Sequence, residues 1–228
     1  FPQTFPTIPG RDGSGVVVAL GKDTDFAAVG DEVVFKVSHV ELGSYAELIA
    51  RPREMVVPKP TSISHVEAAS GGHAGTCAWI GLVREANVSP GMKVLIHGGA
   101  GAIGGLSIQL AKHLGASPVI TTCRRVNIDY VKSLGADHVV DYTNTEAGTV
   151  AEQARATAGE GGIDVCYDAV GGDNTAQGVA ALKDGGIIVS IANWGVAKLA
   201  EAAGRGLTAP SRRACSASAQ SKRSFFPS

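Results

Sequence analysis

The chain has few cysteines, and none is placed to pair with another. Cys77, Cys123, Cys166 and Cys215 are the only four among 228 residues. They form no C-x-x-C pair, so the sequence encodes no four-thiolate zinc lobe. Four unpaired thiols fit a reducing, cytoplasmic compartment better than a secreted disulfide scaffold. No apolar run reaches 18 residues and no signal peptide is recognisable, so nothing in the sequence points to a membrane partner. Neither charge sign dominates: 20 Lys and Arg face 21 Asp and Glu, a net charge of −1, which argues against a nucleic-acid partner. The imbalance is local. From Arg205 onward there are five cationic side chains, Arg205, Arg212, Arg213, Lys222 and Arg223, and no carboxylate, which leaves 15 cationic against 21 anionic side chains upstream. That end also lacks helical or strand periodicity, so residues 205–228 are expected to form an irregular basic tail. Six histidines are scattered without metal-ligand spacing, and there are no internal repeats.

Glycine and apolar residues are abundant: 30 glycines and a 44% hydrophobic content suit a turn-rich globular chain. Their most informative arrangement is Lys93-Val94-Leu95-Ile96-His97-Gly98-Gly99-Ala100-Gly101-Ala102-Ile103-Gly104. A short apolar strand leads into Gly99, Gly101 and Gly104, which supply G-x-G-x-x-G. In that pattern the first glycine permits a tight turn, the second lets backbone approach a pyrophosphate, and the third lets helix pack closely on strand. Leu106, Ile108, Leu110, Ala111 and Leu114 continue with helical spacing, and Gly115 stands where a C-cap is expected. Gly99, Gly101, Ala102, Ile103 and Gly104 are therefore candidate cofactor-binding residues, with the phosphates at the positive end of the helix dipole.

Further strands are expected at 118–122, 138–142, 163–168 and 186–191, with helices at 128–134, 146–158 and 174–182 between them. Strand and helix alternating in this way make an α/β fold, a Rossmann-type doubly wound parallel sheet that binds ligand beyond the carboxyl ends of its strands. The end of the second strand selects the dinucleotide. A carboxylate there holds the ribose 2′-hydroxyl of NAD, whereas cationic side chains suit a 2′-phosphate. Here Thr121-Thr122-Cys123-Arg124-Arg125 has no carboxylate before Asp129, and two guanidiniums offer the fork that matches phosphate oxygens. Arg124 and Arg125 thus point to NADPH.

Several ordered stretches resemble the zinc-independent quinone oxidoreductase branch of the medium-chain dehydrogenase/reductase family. They are Ile8-Pro9-Gly10-Arg11-Asp12-Gly13-Ser14-Gly15-Val16-Val17, Val29-Gly30-Asp31-Glu32-Val33-Val34, Gly43-Ser44-Tyr45-Ala46-Glu47-Leu48, Gly75-Thr76-Cys77-Ala78-Trp79, Ser133 to Tyr142 and Gly162 to Gly172. The likeness extends to about residue 204. It implies a partial, mainly β GroES-like substrate domain over 1–72, a dinucleotide-binding Rossmann domain over 73–204, and the tail. It also implies roles by position. Thr76 lies near the cofactor, Tyr142 near the adenosine 2′-phosphate, Val170 and Gly171 beside the nicotinamide ribose, and Ile191 and Ala192 near the nicotinamide. Zinc-dependent relatives place histidine and glutamate in the early glycine motif. Here Arg11 and Asp12 stand there, and a guanidinium cannot ligate zinc. No metal is expected.

Within the amino-terminal segment, strands are expected at 13–20, 32–37 and 45–50, and Ser64 with Glu67 forms a capping box for a connecting helix. The resemblance implies strands before the Gly10 motif and a sixth nucleotide-domain strand that the sequence does not show. The chain is therefore expected to be truncated at both ends, with the edge of the 186–191 strand exposed unless a loop or the tail covers it. The resemblance also implies a homodimer, which relatives commonly form through the outer strand of the nucleotide sheet, the strand that the sequence does not show. The leading function is transfer of hydride from NADPH to a quinone or α,β-unsaturated carbonyl. A catalytically impaired NADPH-binding homologue and a zinc-dependent alcohol dehydrogenase are the alternatives.

Overall fold

A computed structural model describes residues 5–22, 24–37 and 43–210. They divide between Thr76 and Cys77 into two compact units, four residues beyond the boundary expected at 72.

In the first unit, β1 (Asp12–Val16), β2 (Glu32–Lys36) and β3 (Val56–Pro58) form an antiparallel sheet in that order. Gly13 pairs with Phe35, whose ring lies over it: a Cβ at Gly13 would fall 2.2 Å from the ring. Helix α1 (His65–Trp79) follows, and its entry is the expected capping box, with the Ser64 N–H donating to Glu67 Oε2 at 2.8 Å and the Glu67 N–H to Ser64 Oγ at 3.2 Å. The strand expected at 45–50 does not form. Gly43 and Tyr45 donate their N–H groups to Ile8 and Pro9 carbonyls, and Tyr45 and Leu48 are about three-quarters exposed. That segment follows the chain at 8–9 instead of joining a ladder. The third strand is Val56–Pro58, which pairs with Val33–Phe35.

The second unit is α/β. Strands β4 (Val94–His97), β5 (Val119–Cys123), β6 (His138–Asp141), β7 (Ile163–Asp168) and β8 (Leu182–Ser190) form one sheet, ordered β6-β5-β4-β7-β8 and parallel throughout. Helices α2 (Ala102–His113), α3 (Ile128–Ser133), α4 (Val150–Ala158), α5 (Asp173–Ala181) and α6 (Val196–Ala202) join or follow the strands. This is the doubly wound arrangement expected from the alternating pattern. Period-2 alternation divides the apolar residues between two cores. Val94, Ile96, Val165, Tyr167 and Val189 pack in one, and Leu95, Ile120, Cys166, Leu182 and Ile188 in the other. Each large side chain so buried contributes about 1.5–3 kcal/mol. Tyr167 is fully buried and satisfies its hydroxyl on the Cys77 carbonyl at 3.0 Å. Its ring presses so closely on Gly81 that a Cβ there would sit 2.2 Å away.

In the first unit β1 ends at Val16, short of the expected 20, and in the second unit two boundaries differ from expectation by four residues. The helix expected from 146 starts at Val150, because Gly148 takes a φ of +89° and Thr149 with Glu152 makes a capping box. The last strand starts at Leu182, four residues early, through a bulge between Ile163 and Val165.

Residues 205–209, expected to be irregular, pack against β8. The Ile188 N–H donates to the Thr208 carbonyl and the Thr208 N–H to the Gly186 carbonyl, both at 2.9 Å, so the edge is covered there. Arg205 is an anchor: its guanidinium donates to the Leu182 carbonyl at 2.6 Å and to the Val179 carbonyl. Leu207 and Ala209 lie against the second core. The remainder of the expected tail, 211–228 with Cys215, lies outside the described residues. Among those described, no helix is long and apolar enough to cross a membrane.

Candidate functional site: the carboxyl ends of the parallel strands

The glycine turn joins β4 to α2, and its glycines divide the work differently from the sequence pattern. Gly98, not Gly99, makes the tight turn, with a φ of +77°. Its N–H donates to Thr122 Oγ1 at 3.1 Å, and its carbonyl accepts from the Gly101 N–H at 3.0 Å. Gly99 is where β5 crowds in: a Cβ would lie 2.1 Å from Thr121 Oγ1. Gly104 is where helix meets turn, a Cβ there falling 2.1 Å from the Gly98 oxygen and 2.9 Å from Gly99 Cα. Gly101 is the N-cap of α2 and brings no side-chain acceptor. First-turn N–H groups of a helix have no intrahelical acceptor, so those of Ala102, Ile103 and Gly104 suit an anion, and the dipole adds to the attraction. The Gly98–Gly99 doublet was the visible signal that the turn begins one residue earlier.

At the end of β5, Arg124 and Arg125 are both exposed. Arg124 Nε donates to the Tyr142 hydroxyl at 3.2 Å, which brings together two residues 18 apart in sequence. A carboxylate is nevertheless present. Asp141, paired with Cys123 across the β5–β6 ladder, is held below the usual carboxylate range. The Thr143 hydroxyl and amide do most of this, and the charge and backbone N–H of Arg125 add to it. Sequence reading missed Asp141 because it ends the neighbouring strand, where only register places it beside the arginine pair.

The ends of β7 and β8 also meet. Gly171, at a φ of +82°, faces Ala192 so closely that a Cβ would lie 3.0 Å from both its Cβ and its oxygen. The Ile191 N–H donates to the Asp168 carbonyl at 3.1 Å. Val170, 51% exposed, reaches the glycine turn, where a Cβ on Gly98 would fall 2.7 Å from its Cγ2. Candidates from three strand ends thus share one edge of the unit: the glycine turn, Val170 with Gly171, and Ile191 with Ala192.

Beneath that edge lie two buried polar residues the sequence did not single out. Asp168 is wholly buried yet ionises more readily than an ordinary aspartate. Burial alone would raise its pKa, and donors from Gly171, Thr175 and Val170, with the nearby His97 ring, more than offset it. His97, opposite Asp168 in the β4–β7 ladder, has its pKa lowered by burial, an effect that Asp168 only partly counters. Its Nε2 is buried without a hydrogen-bond partner.

Thr76 belongs to the first unit and donates its hydroxyl to the Gly72 carbonyl at 2.6 Å. In the same unit the Asp12 carboxylate, raised in pKa chiefly by burial, accepts the His73 N–H. The His73 ring is held below its usual pKa by burial and by the charges of Lys36 and Arg11. Among the described residues no three His, Cys, Asp or Glu side chains gather to hold a metal ion.

A five-stranded parallel sheet with a glycine turn at its first strand end, following a small antiparallel unit, defines a Rossmann-type fold preceded by a GroES-like segment. Residues 1–61 match the alcohol dehydrogenase GroES-like domain and residues 102–224 the zinc-binding dehydrogenase family. The chain belongs to the medium-chain dehydrogenase/reductase family, and its relatives include quinone and alkenal oxidoreductases. It is 38% identical over 192 residues to a 2-methylene-furan-3-one reductase of Solanum lycopersicum, covering 81% of this chain and 46% of that one. With the chloroplastic NADPH-dependent alkenal/one oxidoreductase of Arabidopsis thaliana it shares 37% over 194 residues, 82% and 47% of the two chains. The Escherichia coli quinone oxidoreductase solved in complex with NADPH superposes with a TM-score of 0.79 at 27% identity, covering 93% of this chain and 66% of that one. The chain spans about half the length of the curated relatives it matches.

Proposed function

We propose that this chain carries the cofactor site of an NADPH-dependent, zinc-independent reductase acting on a quinone or an α,β-unsaturated carbonyl. The observation that carries the reading is the Arg124–Tyr142 pair at the end of β5, on the same strand-end edge as the glycine turn. Gly98 and Gly104 approach too closely to admit a side chain, and that backbone cradle suits a pyrophosphate. The Arabidopsis and Escherichia coli relatives, named for NADPH or solved with it, support the same cofactor.

NADPH supplies the hydride, and the protein's part is to bind and orient it. The α2 amino end and glycine turn hold the pyrophosphate. Arg124 presents its fork to the 2′-phosphate, steadied by Tyr142, while Arg125 is shared with Asp141 and adds charge. Val170, Gly171, Ile191 and Ala192 form the surface that receives the nicotinamide half, and Thr76 is assigned to the cofactor's surroundings by family position. Arg11, where zinc-dependent relatives have a ligand, supports a reaction without metal.

Calorimetry with NADPH and NADH tests the cofactor, and absorbance at the reduced-nicotinamide band, with and without a quinone or enone, tests the reaction. NADPH should bind at least about tenfold more tightly, the size expected for a charge-assisted phosphate contact. Oxidation of NADPH should require the acceptor. Equal affinity for the two nucleotides would overturn the assignment.

A further inference from the structure

One buried carboxylate ties together the loops that leave two neighbouring strands. Asp168 Oδ1 accepts the N–H groups of Val170 and Gly171, each at 2.9 Å, just beyond the end of β7. Its Oδ2 accepts the Thr175 hydroxyl at 2.6 Å, from the first turn of α5, and the Ser190 hydroxyl at 3.0 Å, from the end of β8. Ser190 Oγ in turn accepts the N–H groups of Ala192 and Asn193, at 3.3 and 3.0 Å. The Asn193 side-chain amide closes the circuit by donating to Thr175 Oγ1 at 3.0 Å.

This arrangement exceeds what joining two strands requires. The β7–β8 ladder already pairs Asp168 with Ser190, and the Ile191 N–H already reaches the Asp168 carbonyl. Four of the extra donors are backbone N–H groups of the loops after the strands, whose direction sets the course of the chain. The Thr175 and Ser190 hydroxyls come from α5 and from the last residue of β8. Burying an ionised carboxylate is costly unless donors surround it. The loops can therefore relax only by leaving a buried charge under-satisfied, which makes one loop geometry strongly preferred. Its outer face carries the exposed Val170 and Ala192, with Gly171 buried between them and the carboxylate, beside the glycine turn.

We propose that Asp168 is a positioning residue. Through Val170–Gly171 and, via Ser190, Ala192–Asn193, it fixes the loop surface that receives the nicotinamide half of the cofactor, without touching the cofactor's adenosine half. The proposal rests on the NADPH reading above. It assigns two halves of one ligand to two separately built parts of the edge: the adenosine half to the turn and arginine pair, the nicotinamide half to a platform set by a carboxylate beneath it.

The test compares NADPH with adenosine 2′,5′-bisphosphate, which has the adenosine and 2′-phosphate but no nicotinamide. Calorimetry on Asp168→Asn should show NADPH binding weakened about tenfold or more, the scale of a lost charge-assisted network, with affinity for the bisphosphate within twofold of the parent chain. Thr175→Val, which keeps the side-chain volume and removes one donor, provides the same comparison if Asp168→Asn fails to fold. It should show the split in milder form, about threefold for NADPH, and Thr175→Ser should restore parental affinity. Equal weakening of both ligands would make the network a general structural brace, and no weakening of either would make it irrelevant to binding. Both results overturn the proposal. A parent chain that binds neither ligand would overturn the NADPH reading itself and the positioning role with it, a result distinct from the first two.

Discussion

At the ends of β4, β5 and β6 the sheet presents glycines and exposed guanidiniums, whereas at the ends of β7 and β8 it closes over a buried carboxylate. The first region is open and cationic, and its shape comes from the absence of side chains at Gly98, Gly99 and Gly104. In the second, donors surround the fully buried Asp168 carboxylate, and the fully buried His97 ring lies beside it with Nε2 unpartnered. The two should respond to different perturbations. Exposed charges are screened by salt, while buried ones are shielded from it and respond to changes that leave them unpaired. Added salt should therefore weaken the contribution of Arg124 and Arg125 and leave the loops above Asp168 in place.

The largest effect should come from the glycine turn. Gly104→Ala places a methyl group 2.1 Å from the Gly98 carbonyl oxygen, a backbone atom that no rotamer change can move aside. Overpacking of this kind costs about 1–3 kcal/mol, and any relief shifts the α2 amino end away from the turn. NADPH affinity should fall by about a hundredfold or more, with a measurable drop in melting temperature. Calorimetry and thermal denaturation check both. Parental affinity in this variant would remove the turn from the site.

A smaller and more selective loss is expected at the end of β5. Replacing Arg124 and Arg125 together by Ala should lower NADPH affinity roughly ten- to a hundredfold and leave NADH nearly unchanged, because only the 2′-phosphate loses its donors. The loss should shrink as salt rises from 0.05 to about 0.5 M, in proportion to screening of exposed charge. Equal losses for both nucleotides would move the arginines away from the 2′-phosphate and erase the contrast between the two regions.

The smallest effect should be the share of the pH dependence that the buried region contributes. Burial lowers the pKa of His97 from its ordinary 6.5. Below that value the unfolded chain takes up a proton that the folded chain refuses, so stability is complete above about pH 6.5 and falls as pH drops beneath it. The slope contributed by one such group is at most about 1.4 kcal/mol per pH unit. Thermal unfolding of His97→Asn between pH 7.5 and 5.5 should show a flatter decline than the parent chain. Asp168 works in a lower window: its pKa lies below 3.8, so the stability it contributes is present above that value and is lost only as pH falls through its folded value. An unchanged slope in His97→Asn would place the titrating group elsewhere.

The sequence by itself determined the elements that depend on near neighbours. The β4–turn–α2 unit, the alternation of strand and helix, and the Ser64–Glu67 capping box follow from apolar period, glycine spacing and side chains three residues apart, all properties of a short window. The same locality explains its errors. The segment at 45–50 has a strand's composition, but bonds to Ile8 and Pro9 draw it off, and β3 forms at Val56–Pro58 where Val33–Phe35 offers an edge. Residues 205–209 show no period, yet Arg205 and Thr208 find carbonyls and an edge on β8. Only the tertiary structure decided that Asp141 stands beside Arg125 and that Asp168 faces both His97 and Ser190. Those meetings depend on the register of parallel strands separated by whole helices, and that register is chosen by burial of both sheet faces, which no local window contains.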